Sequence, residues 1–132
     1  MKKEIVKNKY YEAYVDVENN RMYWVMKGQW NKMTDIPDYV YHNKEVLRYL
    51  KPGFTALTDI RTLEMPSPAV IEVITEMVQM MENAGMGRQA QILNKNDLVA
   101  IRTSRNVMKE ADMDLKMMQF GSYEDAIEWL DR

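Results

Sequence analysis

Apolar and polar residues alternate with a period of two from Tyr10 to Val17, where Ala13, Val15 and Val17 share one face and Tyr14, Asp16 and Glu18 the other. That period predicts a half-buried strand. Asn19-Asn20 follows, two residues that tolerate positive φ, as a tight hairpin needs. The returning segment, Arg21 to Lys27, is apolar on both faces through Met22, Tyr23, Trp24, Val25 and Met26. It therefore belongs inside a sheet and not at its edge.

Beyond Gly28-Gln29-Trp30 the period lengthens. Thr34 or Asp35 can cap a helix with Pro37 in its first turn, and Ile36, Val40, Leu47 and Leu50, flanked by Tyr39 and Val46, form its apolar stripe. Pro52-Gly53 ends it. Phe54 to Ile60 is a short apolar run that predicts a buried strand, and Arg61 to Pro66 a loop. Ser67-Pro68 opens a helix to Ala84 with Val70, Ile74, Met77 and Met81 on one line, stopped by Gly85. Arg88 to Leu93 alternates again. Asn94 or Asn96 can cap a third helix over Asp97 to Ala111, with Leu98, Ile101, Met108 and Ala111 inward. Leu115 to Phe120 predicts a last strand. Ser122 with Asp125 then starts a short helix carrying Ala126, Ile127, Trp129 and Leu130 inward.

The order is thus β-β-α-β-α-β-α-β-α: one α/β domain over residues 10–132, a five-strand mixed sheet opened by an antiparallel hairpin, and four helices. Strand–helix alternation makes the later strands parallel. Residues 1–9 hold four lysines against one glutamate and read as a basic N-terminal tail.

Several stretches resemble the SpoIIAA-like superfamily, the STAS-type fold of sulfate transporter and anti-sigma-factor antagonist domains. Gly28-Gln29-Trp30 is similar to that family's G-x-W. Pro52-Gly53-Phe54 with Thr58-Asp59-Ile60-Arg61 resembles its third strand, and Arg88-Gln89-Ala90 the opening of its fourth. Phe120 to Leu130 resembles its F-x-S-x-E-x-A-x-x-W-L ending. The resemblance implies a small bacterial regulatory domain. It also implies that Ser67, at the start of the second long helix, occupies about the position of the phosphorylated serine of anti-sigma-factor antagonists. The aspartate, second serine and glycine of that stretch are absent here. Ser67 reads first as a helix cap. A phosphorylation or anion site is its second reading, since phosphate is favoured at a helix N-terminus.

Charge and composition narrow the function. The 132 residues carry a net charge of -2, which lacks the basic excess of a nucleic-acid binder. No run is apolar and long enough to span a bilayer, and no apolar stretch follows the first lysines, so the expected location is the cytoplasm. There is no cysteine, and His42 is the one histidine, four residues after Asp38. No nucleophile–base pair or transition-metal set follows, and Asp112 with Asp114 lacks the rest of a calcium loop. Gly85-Met86-Gly87 follows a helix, the reverse of phosphate-loop geometry. No catalytic residue, metal or cofactor is expected. A solvent-open cleft gathering Asp59, Arg61 and His42 would reverse that view.

What stands out is methionine, at 13 residues. Flexible core filling explains most of them, and an adaptable contact surface is the sharper reading. The expected function is a non-catalytic interaction or regulatory module that binds another protein or itself as a homodimer, with Met77, Met80 and Met81 as candidate interface residues. Arg102, Arg105 and Lys109, on one side of the third helix, form a candidate basic patch. The alternative is a carrier or sensor of a lipid-like small molecule, as in CRAL-TRIO-like domains, to which the superfamily resemblance extends. The same methionines, with Met117 and Met118, would line a cavity of roughly 300 Å³ or more.

Overall fold

A computed structural model describes residues 2–132. Its centre is one six-stranded sheet whose strands lie in chain order: β1 (Lys2–Lys7), β2 (Tyr11–Asp16), β3 (Arg21–Gly28), β4 (Thr55–Leu63), β5 (Arg88–Ile92) and β6 (Met117–Phe120). The pairs β1–β2 and β2–β3 are antiparallel, and β3 through β6 are parallel. The helices are α1 (Tyr39–Leu47), α2 (Pro68–Asn83), α3 (Leu98–Glu110) and α4 (Tyr123–Leu130). Each of the first three joins parallel strands added in the same direction. Right-handed crossovers therefore place α1, α2 and α3 on one sheet face, over the larger core. α4 follows the last strand and packs on the opposite face, over Tyr23, Leu57, Ala90 and Ile92.

The expected α/β architecture with a mixed sheet and four helices is present, but the sheet has six strands, not five. The sixth is the segment read as a tail. Lys2–Lys7 pairs with β2 from Lys2 opposite Asp16 to Lys7 opposite Glu12. A register shift between Glu4 and Val6 lets both Ile5 and Val6 pack on the larger core. With two apolar residues among six, the period of two is invisible in sequence. Its lysines suit an edge strand, where charge blocks further pairing. Two of them rest over rings: Lys2 Nζ is 3.9 Å from the Tyr23 centroid and Lys3 Nζ 5.0 Å from that of Tyr49.

Two boundaries also move. β4 continues through Arg61 to Leu63, because Thr62 and Leu63 pair with Lys27 and Gly28 of β3. β6 begins only at Met117; Leu115 lies in a single 3-10 turn over Asp114–Lys116 and is 95% exposed. The hairpin turn uses Asn20 at φ 53. Below it Trp30 is fully buried, its indole N–H donating to the Lys27 carbonyl at 2.9 Å and its ring edge-on to Tyr11 and Tyr39. α1 starts at Tyr39, after Pro37, and its N-cap Asp38 makes no side-chain cap bond, so the expected cap at Thr34 or Asp35 is replaced by a separate 3-10 turn over Met33–Asp35. The other three helix starts follow the cap rule. Ser67 accepts from the Val70 N–H at 3.4 Å and Ser122 from Asp125 at 3.3 Å. α3 is capped by Asp97, accepting from Ala100 at 3.0 Å, instead of Asn94 or Asn96.

Candidate functional site: a cavity between the sheet and two helices

Packing of α2 and α3 against the sheet leaves a cavity of about 100 Å³. Its wall is mostly apolar and rich in methionine: Met22 and Met26 from β3, Met77 and Met81 from α2, Met86 and Met108. Unbranched thioethers fill irregular space and change rotamer at little cost, so such a wall is adaptable. Tyr39 of α1 also borders it, and burial pushes its phenol well above the ordinary tyrosine value.

The floor is polar. Thr58 of β4 and Gln89 and Gln91 of β5 lie on the helix-covered face of the sheet, and all three are buried. Gln89 Nε2 donates to Thr58 Oγ1 at 3.3 Å. Gln91 belongs to a chain of hydrogen bonds running in from the surface. Arg105 Nε donates to Gln119 Oε1 at 3.2 Å, and Gln119 Nε2 donates both to the Ile101 carbonyl and to Gln91 Oε1, each at 3.3 Å. The guanidinium and the Ile101 carbonyl orient the Gln119 amide, and Gln119 in turn orients that of Gln91. The Gln91 NH2 and the Gln89 carbonyl oxygen are left without a protein partner among the described residues. No sealed side-chain polar atom there lacks a partner. Both groups therefore border open space, and the space these glutamines line is the cavity.

The cavity has a mouth. A surface cleft of about 350 Å³ lies between the β4–α2 loop and the first turns of α3. It shares Ile60, Leu63, Pro66, Thr103 and Ser104 with the cavity wall. This is the carboxyl end of the parallel strands. Met65 stands over the cleft with its sulfur 3.6 Å from the Thr103 hydroxyl, which donates to it. Met65 and Val99 line the cleft, 55% and 59% exposed, and with Leu98, 69% exposed and next to Val99 in the chain, form an apolar rim beside the exposed carboxylates Glu64 and Asp97. Leu98, expected inward, faces out because α3 turns Ser104, Val107 and Met108 to the core.

The residues singled out from sequence separate accordingly. Met77 and Met81 are buried in the cavity wall, not on an exposed helix surface, whereas Met80 is half-buried at the flank of α2, packed against the core and bordering a shallow surface groove with Thr75 and Gln79. Met117 and Met118 border a separate surface hollow with Arg105 and Lys109. The cavity is about a third of the size expected for an acyl ligand. Ser67 is half-buried beside Pro66, its N–H donating to the Trp30 carbonyl at 3.2 Å. Arg102, Arg105 and Lys109 are all exposed.

Asp59, Arg61 and His42 are not gathered. Arg61 grips Asp59 through two nitrogens at 3.0 and 2.7 Å, and Asp59, two residues after Leu57, lies on the α4 face of the sheet. His42 is on α1, across the sheet, bonded to Tyr11 at 2.6 Å. Among the described residues no three His, Asp or Glu side chains converge as metal ligands, and no helix is long and apolar enough to cross a membrane. Sequence reasoning missed Thr58, Gln89, Gln91, Gln119 and Ser104. The signal was the pair of glutamines flanking Ala90 in a strand with helices on both sides.

No family model matches the chain, and no curated protein matches it in sequence. Solved structures do. An uncharacterized protein from the DUF3478 family of Shewanella loihica PV-4, with a SpoIIAA-like fold, aligns at TM-score 0.59 and 14% identity over 98% of this chain and 92% of that one. The Bacillus cell fate determinant SpoIIAA, in its phosphorylated form, aligns at TM-score 0.54 and 17% identity over 91% of this chain and 98% of that one.

Proposed function

On this SpoIIAA-like, STAS-type fold, we propose that the chain is a non-catalytic regulatory module that works in the cytoplasm by docking another protein, a second copy of itself included. The observation that carries the reading is the apolar rim of Met65, Leu98 and Val99 at one end of the domain. Exposed apolar residues gathered at one place mark interaction surfaces on soluble domains. Ser67 caps α2 at the same end, so any change at its hydroxyl would act next to the docking surface. The likeness to a cell fate determinant supports a regulatory role. The separation of Asp59 and Arg61 from His42 by the sheet argues against an acid–base centre built from them.

Native mass spectrometry with paired substitutions tests this. The expected result is a dimer at twice 15.7 kDa, converted to monomer by Met65→Asp combined with Val99→Asp while the circular dichroism spectrum is kept. A dimer indifferent to both substitutions refutes this surface, and a monomer at every concentration refutes self-association.

The cavity favours a second reading, a carrier or sensor of a small apolar ligand. Its support is the pair of buried glutamines with open hydrogen-bonding groups inside an otherwise methionine-lined space. A reproducible mass adduct on protein purified without denaturation is the expected outcome; its absence counts against an endogenous ligand.

A further inference from the structure

We infer that the cavity accepts a small uncharged molecule with an apolar body and one hydroxyl head, and that the head is held between the Gln91 NH2 and the Gln89 carbonyl oxygen. This inference rests on the ligand-binding reading above and specifies its chemistry. No Asp, Glu, Lys, Arg or His lines the cavity among the described residues. A carboxylate or ammonium head would leave water without a countercharge. A pure hydrocarbon would leave a buried donor and a buried acceptor facing it unpaired. A hydroxyl meets both, accepting from Gln91 and donating to Gln89.

The donor is prepared for this task. From Arg105 to Gln119 and from Gln119 to Gln91 the donor lies on the outer partner and the acceptor on the inner one, and hydrogen bonds in series polarise one another. The charged end of the chain is exposed, so the cavity gains a strengthened donor without a buried charge. Volume sets the size. About 100 Å³ is two-thirds of the roughly 150 Å³ that holds the six heavy atoms of benzene, so about four heavy atoms fit as the cavity stands and a five-carbon body enters once the methionines shift. Entry is through the cleft under Met65, and the adaptable wall of Met77, Met81 and Met108 closes around the ligand.

Three probes of equal length test the inference on the full chain: 1-pentanol, pentanoate and n-pentane, followed by the methionine methyl and glutamine side-chain amide resonances. The expected result is that 1-pentanol shifts the Met77, Met81 and Met108 methyls and the Gln91 amide, and that pentanoate at pH 7 binds at least tenfold more weakly. Gln91→Leu lowers the 1-pentanol affinity about tenfold and leaves n-pentane binding unchanged or stronger. Ile74→Phe fills the cavity and abolishes all binding, with Val78→Phe replacing it if that protein does not fold. Pentanoate binding as tightly as 1-pentanol, or n-pentane doing so, overturns the hydroxyl assignment while the ligand-binding reading stands. If no probe moves these resonances, the cavity is a water site and both fall.

Discussion

The Tyr11 hydroxyl and His42 Nδ1 share a hydrogen bond of 2.6 Å, joining the start of β2 to the first helix. Tyr11 is buried and its ring also meets Trp24, Trp30 and Tyr39 at centroid distances of 5.7 to 5.8 Å. Tyr11→Phe keeps the ring contacts and removes only the hydroxyl. The expected cost is about 1 kcal/mol in urea unfolding, near the net worth of one hydrogen bond. A loss three times larger would mean that the hydroxyl anchors α1 and not merely one of its side chains.

Tyrosines also make the fold sensitive to alkali. Burial raises Tyr11 above its ordinary value, offset in part by Asn8 and reinforced by Asp38. Burial likewise raises Tyr39. Tyr14, donating to Glu12 Oε1 at 2.5 Å, is pushed up to about 12, first by that hydrogen bond and then by desolvation. The folded state thus holds these protons more tightly than the unfolded chain does. The stability they contribute is complete below the ordinary tyrosine value of about 10 and is lost as pH rises through the folded values. Urea midpoints are expected to be level from about pH 8 to 9.5 and to fall by pH 11, with Tyr39→Phe reducing the fall. A level profile to pH 11 would contradict the linkage.

Gly85 ends α2 at φ 101, and a Cβ there would lie 2.8 Å from Pro52 Cα and 2.9 Å from Pro52 Cβ. The approach is enforced from both sides, since the Gly85 carbonyl accepts from Gly53 N at 2.7 Å and Gly87 N donates to the Phe54 carbonyl at 2.7 Å. Gly85→Ala therefore combines left-handed strain with a backbone clash, at an expected cost of about 2–3 kcal/mol. Gly53→Ala, also at positive φ but with open space around it, is the control and should cost less. Equal losses would assign the whole effect to φ.

These cases show what a single sequence makes legible. The Asn19-Asn20 turn, the central position of Arg21 to Lys27 and the Ser67, Gly85 and Ser122 boundaries follow from local chemistry that tertiary packing does not override. β1 was hidden because an edge strand needs few apolar residues. The rotation of α3 was hidden because Ser104 satisfies itself on the Ala100 carbonyl at 2.7 Å and packs inward as if apolar, which frees Leu98 to face out. The cavity was least legible. Gln89 and Gln91 read as the polar face of a strand, and only the helices over that face turn it into a buried floor.

Trp129 tests how firmly α4 closes the smaller core. Its ring is half-buried, tilted against Phe120 at 5.7 Å and stacked under the Arg88 guanidinium at 4.6 Å, while Arg88 Nη1 also donates to the Trp129 carbonyl at 2.7 Å. Trp129→Ala is expected to cost about 3 kcal/mol by loss of ring burial and of the cation–π contact. Trp129→Phe should recover about half. A neutral alanine variant would make α4 peripheral to stability.

Met77 and Met80 lie three residues apart on α2 and are expected to differ in how much the same change costs. Met77 is 8% exposed and lines the cavity, so Met77→Asp places an unpaired carboxylate in an apolar wall. Such a charge costs about 3–5 kcal/mol when no partner is present, a large share of the about 5–15 kcal/mol that holds a domain folded. Met80 is half-buried at the flank of the helix and borders a surface groove where water is within reach, so Met80→Asp should cost well under half as much. Met77→Leu, close in volume, should cost less than about 1.5 kcal/mol. Circular dichroism melts of the three variants check the order. A Met77→Asp protein no less stable than Met80→Asp would mean that water reaches the α2 wall and that the cavity is open along the helix as well as at its Met65 mouth.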